Sequence, residues 1–298
     1  MYSRNRCADA KESPWREKET VLTIALTALA VAAFAANSLL TRIAFQTTVI
    51  DASSFTFIRI ASGALTLCAI LKLQEKKPVH SAVGGISAAM LFVYAAAFSF
   101  AYRDISTGAG ALILFASAQL LTISYGIYKG EKANALGLLM AFGGLAAFLA
   151  PSASAPPAAS AALMGIAGLA WGSYSILGRS SDSPIASTAT SFIWAAPLAL
   201  VLLVAQYKHI ALDYAGIVYA LLSGSVASAV GYVLWYWVRV RMTIISAGAV
   251  QLSVPALSAV MGMWILGEKI ALKGAISALV ALGGVVVITL TAKSKQNI

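Results

Sequence analysis

Charge is scarce in this sequence. Only 11% of its 298 residues are charged, against 60% hydrophobic, and the mean hydropathy is +0.83. The chain therefore lacks the polar surface that a water-soluble globule requires. Cysteine and histidine are nearly missing as well, with two of each. Cys7 falls in a polar leading segment and Cys68 in an apolar run, while His80 and His209 fall in opposite loops, so neither a disulfide framework nor a metal site fits. No Gly-x-x-x-x-Gly-Lys-Ser/Thr run is present, which excludes ATP hydrolysis by a phosphate loop. The apolar runs hold no His/Asp/Glu cluster and no nucleophile beside a base, so an intramembrane enzyme is not expected, and neither is a cofactor. None of the 11 carboxylates lies in the middle of an apolar run; Asp51, Asp104, Glu131, Asp182, Asp213 and Glu268 come nearest, at ends and loops. A proton relay through a central carboxylate is disfavoured for that reason.

What the sequence has in abundance is long apolar runs. They read as ten helices, at 20–46, 51–73, 79–102, 106–128, 133–150, 160–178, 184–206, 215–238, 243–266 and 271–292. Most are close to the roughly 20 residues that span a hydrocarbon core of about 30 Å. They are apolar all round, whereas a transmembrane β-barrel would alternate in short segments. The expected fold is an all-α integral membrane protein with ten transmembrane helices. The first run follows a charged segment without a small-residue cleavage site, so it is expected to be a retained span. The net charge of +10 reports orientation and not nucleic-acid binding. With the N-terminus cytoplasmic, inner segments collect most of the Lys and Arg, including Arg4, Arg6, Lys11, Lys76, Lys77, Lys129, Arg239 and Arg241. Outer segments hold Arg42, Arg103, Lys208, Lys269 and Lys273. Both termini are therefore expected in the cytoplasm.

The chain also says nearly the same thing twice. Ser38-Leu39-Leu40-Thr41-Arg42 recurs as Ser175-Ile176-Leu177-Gly178-Arg179, and Gly130-Glu131-Lys132 recurs as Gly267-Glu268-Lys269, both 137 residues later. Each copy carries five runs, and an odd number forces the second copy to cross in the opposite sense. This predicts two inverted five-helix repeats, 20–150 and 160–292, with a cytoplasmic tail at 1–19 and another at 293–298. The outer linker, 151–159, contains Pro151-Ser152-Ala153-Ser154-Ala155-Pro156-Pro157, which cannot continue a helix. Small residues such as Gly126, Gly130, Gly168, Gly172, Gly143-Gly144 and Gly283-Gly284 are expected to serve helix packing.

Three features together resemble a known family: the Asn37–Arg42 stretch ending the first helix, Phe55-Thr56-Phe57-Ile58-Arg59 opening the second, and Gly-Glu-Lys closing helices four and nine. Over roughly 20–292 the chain resembles the EamA-like branch of the drug/metabolite transporter superfamily, and within it the aromatic amino-acid exporters of the YddG type. The resemblance implies a secondary carrier of the bacterial inner membrane that exports aromatic and other neutral amino acids by alternating access. Its partners would be a small-molecule substrate and the lipid bilayer, without nucleic acid; the sequence sets no oligomeric state, a monomer included. It marks Glu131 and Glu268 as structural or gating groups. An exporter of another metabolite or drug of the same superfamily stands as the alternative, with a passive channel behind it, since no charged ring or filter loop is visible.

The candidate substrate residues are the polar and aromatic ones at depth. Asn37, Ser38 and Thr41 lie about one turn apart on helix one, and Trp171 and Tyr174 share a face of helix six. Tyr94 and Phe98 pair on helix three, as do Tyr232, Trp235 and Tyr236 on helix eight. Trp171 and Tyr94 fall near mid-span, where an interfacial belt does not explain them; Tyr102, Trp237 and Trp264, near helix ends, read as belt residues. Gln119 is either interhelical glue or a ligand contact. Pro255 in helix nine frees the carbonyl of Gln251, and with Gln251 and Ser253 it is either a cavity wall or a packed kink. Arg59 is the charge inside a span, and two readings stand open: it meets a substrate carboxylate, or it snorkels to the outer end or pairs with a backbone carbonyl. Pro255, Arg59, Glu131 and Glu268 form the gating or hinge set.

Overall fold

In hydrocarbon a backbone has no water to bond, so each apolar run must satisfy its own N–H and C=O groups as a helix. The computed structural model describes residues 14–78, 82–130, 134–149, 156–178, 183–239, 241, 250–251, 253–269 and 271–291. Among them there are ten helices and no strand. They are α1 (Pro14–Thr47), α2 (Ala52–Leu73), α3 (Ala82–Ala101), α4 (Thr107–Tyr128), α5 (Ala135–Leu149), α6 (Ala158–Leu177), α7 (Pro184–Ala205), α8 (Tyr214–Arg239), α9 (Ser253–Leu266) and α10 (Leu272–Thr291). Seven of these, α1 to α4 and α6 to α8, are long and apolar enough to cross a membrane, and α5, α9 and α10 are shorter apolar helices.

Most helix ends fall within a few residues of expectation. Two differences matter. Helix α1 starts at Pro14, upstream of Thr20, and helix α8 is interrupted by an unexpected π segment, Ser223–Val230. The expected stretch 243–249 of helix nine lies outside the described residues; Val250 and Gln251 are helical, and Ser253–Leu266 carries Pro255. Helix α7 carries Pro197 in its interior, within the expected 184–206.

The bundle is turned inside out relative to a soluble protein. Leu73 is 87% exposed and Leu290 79%, while Asn37, Thr41, Arg59, Gln119 and Gln251 are buried. Helix α5 lies along α10, α4 against α9, and α2 against α7. Helix α1 packs on α8 and α9, α6 on α3 and α4, α2 on α8, and α3 on α7. Glycines make the tightest crossings possible, because backbones without side chains approach closely. A Cβ on Gly284 would sit 2.3 Å from the Ala141 nitrogen, and one on Gly168 2.3 Å from the Leu114 carbonyl oxygen. The expected packing role therefore holds at Gly168, at Gly172 and at one member of each Gly-Gly pair, Gly144 and Gly284; a Cβ on Gly143 or Gly130 would meet nothing within 4 Å.

Gly130 and Gly267, the glycines of the repeated Gly-Glu-Lys, both adopt left-handed backbone, with φ of +88° and +65°. Each follows the last turn of a helix, the position that favours a residue without a Cβ. The packed Gly284 and the open Gly143 predict a sharp contrast in stability. Gly284→Ala should lower the unfolding free energy by about 1–3 kcal/mol through overpacking, and Gly143→Ala should leave it unchanged or slightly raised. Thermal unfolding of the purified protein followed by circular dichroism checks both.

Candidate functional site

Aromatic rings from five helices meet at the centre of the bundle. Trp171 (α6) lies 5.2 Å from Tyr94 (α3), 5.1 Å from Tyr232 (α8) and 5.9 Å from Phe34 (α1), measured between ring centroids. Phe34 also meets Trp235 edge-on at 5.8 Å, and Phe192 (α7) meets Tyr232 at 5.7 Å. Such tilted and edge-to-face contacts are the arrangements that ring quadrupoles prefer. Tyr94 continues to Phe98 at 5.4 Å, and Trp171 to Tyr174 at 5.7 Å.

A closed loop of polar side chains runs beside these rings. Ser223 donates to Asn37 Oδ1 at 2.6 Å, and Asn37 Nδ2 donates to Tyr94 Oη at 3.3 Å. Arg59 Nη2 donates to the same Tyr94 oxygen at 2.9 Å, and Arg59 Nε donates to Ser228 Oγ at 3.3 Å. The loop leaves α8 at Ser223 and returns to α8 at Ser228, both within its π segment, Ser223–Val230. A π segment is a frequent mark of a functional position in a helix. Its backbone also touches α2 directly: a Cβ on Gly224 would lie 2.1 Å from the Arg59 carbonyl oxygen.

Arg59 is 2% exposed, so the snorkelling reading is corrected. Its guanidinium carbon stands 4.7 Å from the Phe98 ring centroid and 5.1 Å from that of Tyr94. Helices α3, α7 and α8 cover α2, and the side chain turns inward among them. The belt reading of Tyr102 is corrected too: it is fully buried, and its hydroxyl donates to the Thr107 carbonyl at 3.2 Å. Trp264 is 81% exposed, in keeping with a belt position.

The other expected residues divide. Asn37, Tyr94, Phe98, Trp171, Tyr174, Tyr232 and Trp235 join the central cluster. Ser38 is buried on α1 against Tyr102. Gln119 Nε2 donates to Gln251 Oε1 at 2.9 Å, joining α4 to α9 as interhelical glue. Ser253 does not join Gln251: it is exposed and donates back to the Val250 carbonyl at 2.6 Å. Residues two apart on a helix point about 200° apart, so they cannot share a face. Pro255 is buried. Glu131 lies outside the described residues.

Glu268 locks one end of the bundle. Both of its oxygens accept from the Thr107 N–H, at 2.9 and 2.8 Å, and one accepts from Thr107 Oγ1 at 3.1 Å. Ser106, the residue before α4, makes no side-chain cap; a carboxylate from the loop after α9 caps α4 in its place, where the helix dipole favours negative charge. Glu268 also meets Arg42 Nε at 3.5 Å. Arg42 Nη1 in turn donates to the carbonyls of Tyr102 and Arg103, at 2.8 and 2.7 Å, beyond the C-terminal end of α3. Gly262 leaves the room: a Cβ there would be 2.4 Å from Glu268 Oε2.

Beside this lock lies a cavity of about 730 Å³, bounded by Asp51, Arg103, Asp104, Gln206 and His209 among others, and by none of the central rings. Asp51 caps α2, accepting from the Ser53 hydroxyl and from the Ser53 and Ser54 N–H groups, and it also accepts from the Ala211 N–H at 3.0 Å. Burial raises its pKa, but these hydrogen bonds outweigh burial and hold the carboxyl below its ordinary 3.8.

Several partners were missed in the sequence. Phe34 stands 137 residues before Trp171, so the repeat register itself would have found it. The Ser223-Gly224-Ser225 run, with Ser228 beyond, marks a small and polar stretch in mid-span. The cross-copy pairing of Arg42 with Glu268 was available in the two recurring motifs taken together.

Two measurements test this end of the molecule. Glu268→Ala should speed hydrogen exchange at the Thr107 amide by about tenfold or more, the worth of a hydrogen bond to a charged group. Asp51→Ala should cost about 1 kcal/mol. Because the folded-state pKa is lowered, the Asp51 contribution is full above pH 3.8 and is lost as pH falls through the lowered value; the variant should lose that acid limb in its stability profile.

Comparison with known proteins follows the same lines. Residues 159–290 match the EamA-like transporter family. An uncharacterized protein of Pseudomonas aeruginosa is 46% identical over 269 residues, covering 89% of this chain and 94% of its own. A solved crystal structure aligns with a TM-score of 0.65 over 89% of this chain and 98% of its own, at 15% identity, which reports the fold alone. The apolar helical bundle and these matches agree: the chain is a multi-pass membrane protein that belongs to the EamA-like transporter family of the drug/metabolite transporter superfamily, a family of transporters and not of enzymes.

Proposed function

We propose that the chain exports amino acids, aromatic and other neutral ones, across the bacterial inner membrane as a secondary carrier working by alternating access. The observation that carries this reading is the central cluster. It gathers rings and neutral polar groups from α1, α3, α6, α7 and α8 around the Arg59 guanidinium of α2, in a bundle whose outer surface is apolar. Rings would hold an apolar side chain, and hydroxyl and amide groups would orient the polar end.

The carrier mechanism rests on two inverted repeats, α1–α5 over 20–150 and α6–α10 over 160–292. Two features support it. Exchanging each helix with the one five places away returns the same neighbours: α1 on α8 becomes α6 on α3, α1 on α9 becomes α6 on α4, and α2–α7, α4–α9 and α5–α10 map onto themselves. Glu268 touches the first residue of α4, while Gly130 follows its last turn. A 22-residue helix is about 33 Å long, so Gly130 and Glu268 stand at opposite ends of α4. With both termini cytoplasmic, the Glu268 lock closes the outer side. Glu268 and Arg42 then act at the outer gate, and the matching Glu131 and Arg179 belong to the inner one.

Uptake of labelled amino acids into proteoliposomes, with and without a proton gradient, tests the reading. Uptake of aromatic amino acids is expected, and no uptake of any amino acid would favour another metabolite or drug. Trp171→Ala should cut flux at least about fivefold, the worth of one aromatic contact of about 1 kcal/mol, with membrane insertion intact. Unchanged flux at normal protein levels removes Trp171 from the site.

A further inference from the structure

Among the described residues Arg59 is a charge without a counter-charge. A guanidinium does not lose its proton in a protein, and burying one without a partner costs several kcal/mol. Among the described residues the ion pair formed is Arg42 with Glu268, at the end of the bundle. Around Arg59 the structure supplies only neutral acceptors, Tyr94 Oη and Ser228 Oγ, and two ring faces.

Donors outnumber acceptors throughout this centre. Both N–H groups on Arg59 Nη1 are buried with no acceptor among the described residues, and so is Trp171 Nε1–H. Tyr94 Oη already accepts twice, from Asn37 and Arg59, which fills its lone pairs and leaves its proton to donate. The Tyr232 hydroxyl lies in electrostatic reach of Arg59 and Tyr94 and makes no hydrogen bond of full geometry. Buried donors left in this state are rare in native proteins and call for an acceptor. One that arrives with negative charge would answer the charge and the hydrogen bonds together.

We propose that Arg59 is the receptor for a carboxylate on the transported molecule, with Trp171 Nε1–H as a second donor and the rings of Tyr94, Phe98 and Tyr232 enclosing an apolar body. The site thus selects organic acids bearing an apolar or aromatic group, whether or not they also carry an amine. This assignment rests on the carrier reading and specifies which end of the substrate is recognised. Asn37 and Ser228 are positioning residues: they fix Tyr94 and Arg59 and need not touch the ligand.

The test uses the purified full-length protein and four probes: 3-phenylpropionate, its uncharged amide, phenethylamine and phenylalanine. Binding is read by tryptophan fluorescence and by thermal stabilisation. The expected result is that 3-phenylpropionate binds about tenfold or more tightly than the amide and the amine, the discrimination given by a hydrogen bond to a charged group. Arg59→Gln should abolish that preference. Arg59→Lys keeps the charge but loses the planar fork; it should weaken carboxylate binding about threefold while still preferring it to the amide. The Lys variant and the unaltered protein keep the test decisive where the Gln variant does not fold. Equal binding of acid and amide, no saturable binding of any carboxylate, or an unchanged preference in either variant would overturn the assignment. Binding of 3-phenylpropionate without binding of phenylalanine would uphold it and defeat the amino-acid reading. Transport of phenylalanine that the amide inhibits as well as the acid would do the reverse.

Discussion

A guanidinium removed from water and given no carboxylate sets the terms for the centre of this bundle. Two ring faces contribute about 2 kcal/mol or more when desolvated, and hydrogen bonds to Tyr94 and Ser228 contribute about 1.5–3 kcal/mol each. These offset a desolvation penalty of several kcal/mol and leave little surplus. Much of the surrounding structure serves that balance. Tyr94 is held by Asn37, and Asn37 by Ser223. The π segment of α8 brings Ser223 and Ser228 to the two ends of one loop. The glycine between them admits the backbone of α2.

Charge is used in the opposite way at the Glu268 end. There each ion lies where a helix terminus already favours it: Arg42 on the Tyr102 and Arg103 carbonyls just beyond α3, Glu268 at the first N–H of α4. The two then meet each other, with side chains 13% and 9% exposed. Each of these charges would be stabilised at its helix end without the other, whereas Arg59 has only induced and neutral partners. One end is thus held by matched electrostatics, and the centre by neutral groups and ring faces around a single charge.

The fold was largely legible, because in lipid the apolar run and the helix are the same object. Trp171, Tyr94 and Asn37 could also be picked out, since polar or aromatic groups at mid-depth have no interfacial explanation. What failed was direction. The distance of Arg59 from a helix end suggested an exit to water, but depth along a helix says nothing of which neighbours cover the face. Tyr102 failed for the same reason, near an end yet turned inward. Ser253 failed on angular grounds, two residues from Gln251 and so on another face. The π segment leaves no trace in hydropathy; only the run of Ser and Gly hints at a departure from regular winding.

Gly224 carries a mechanical consequence. Where two main chains touch with no side chain between them, there is no layer of rotamers to absorb sliding or rolling. Helices α2 and α8 are coupled stiffly at this crossing, and the backbone hydrogen bond from Asp51 to Ala211 fastens them again before their first turns. They come from different halves of the chain. A crossing without side chains therefore ties the first half to the second, and sliding between helices would meet less resistance at looser crossings than this one.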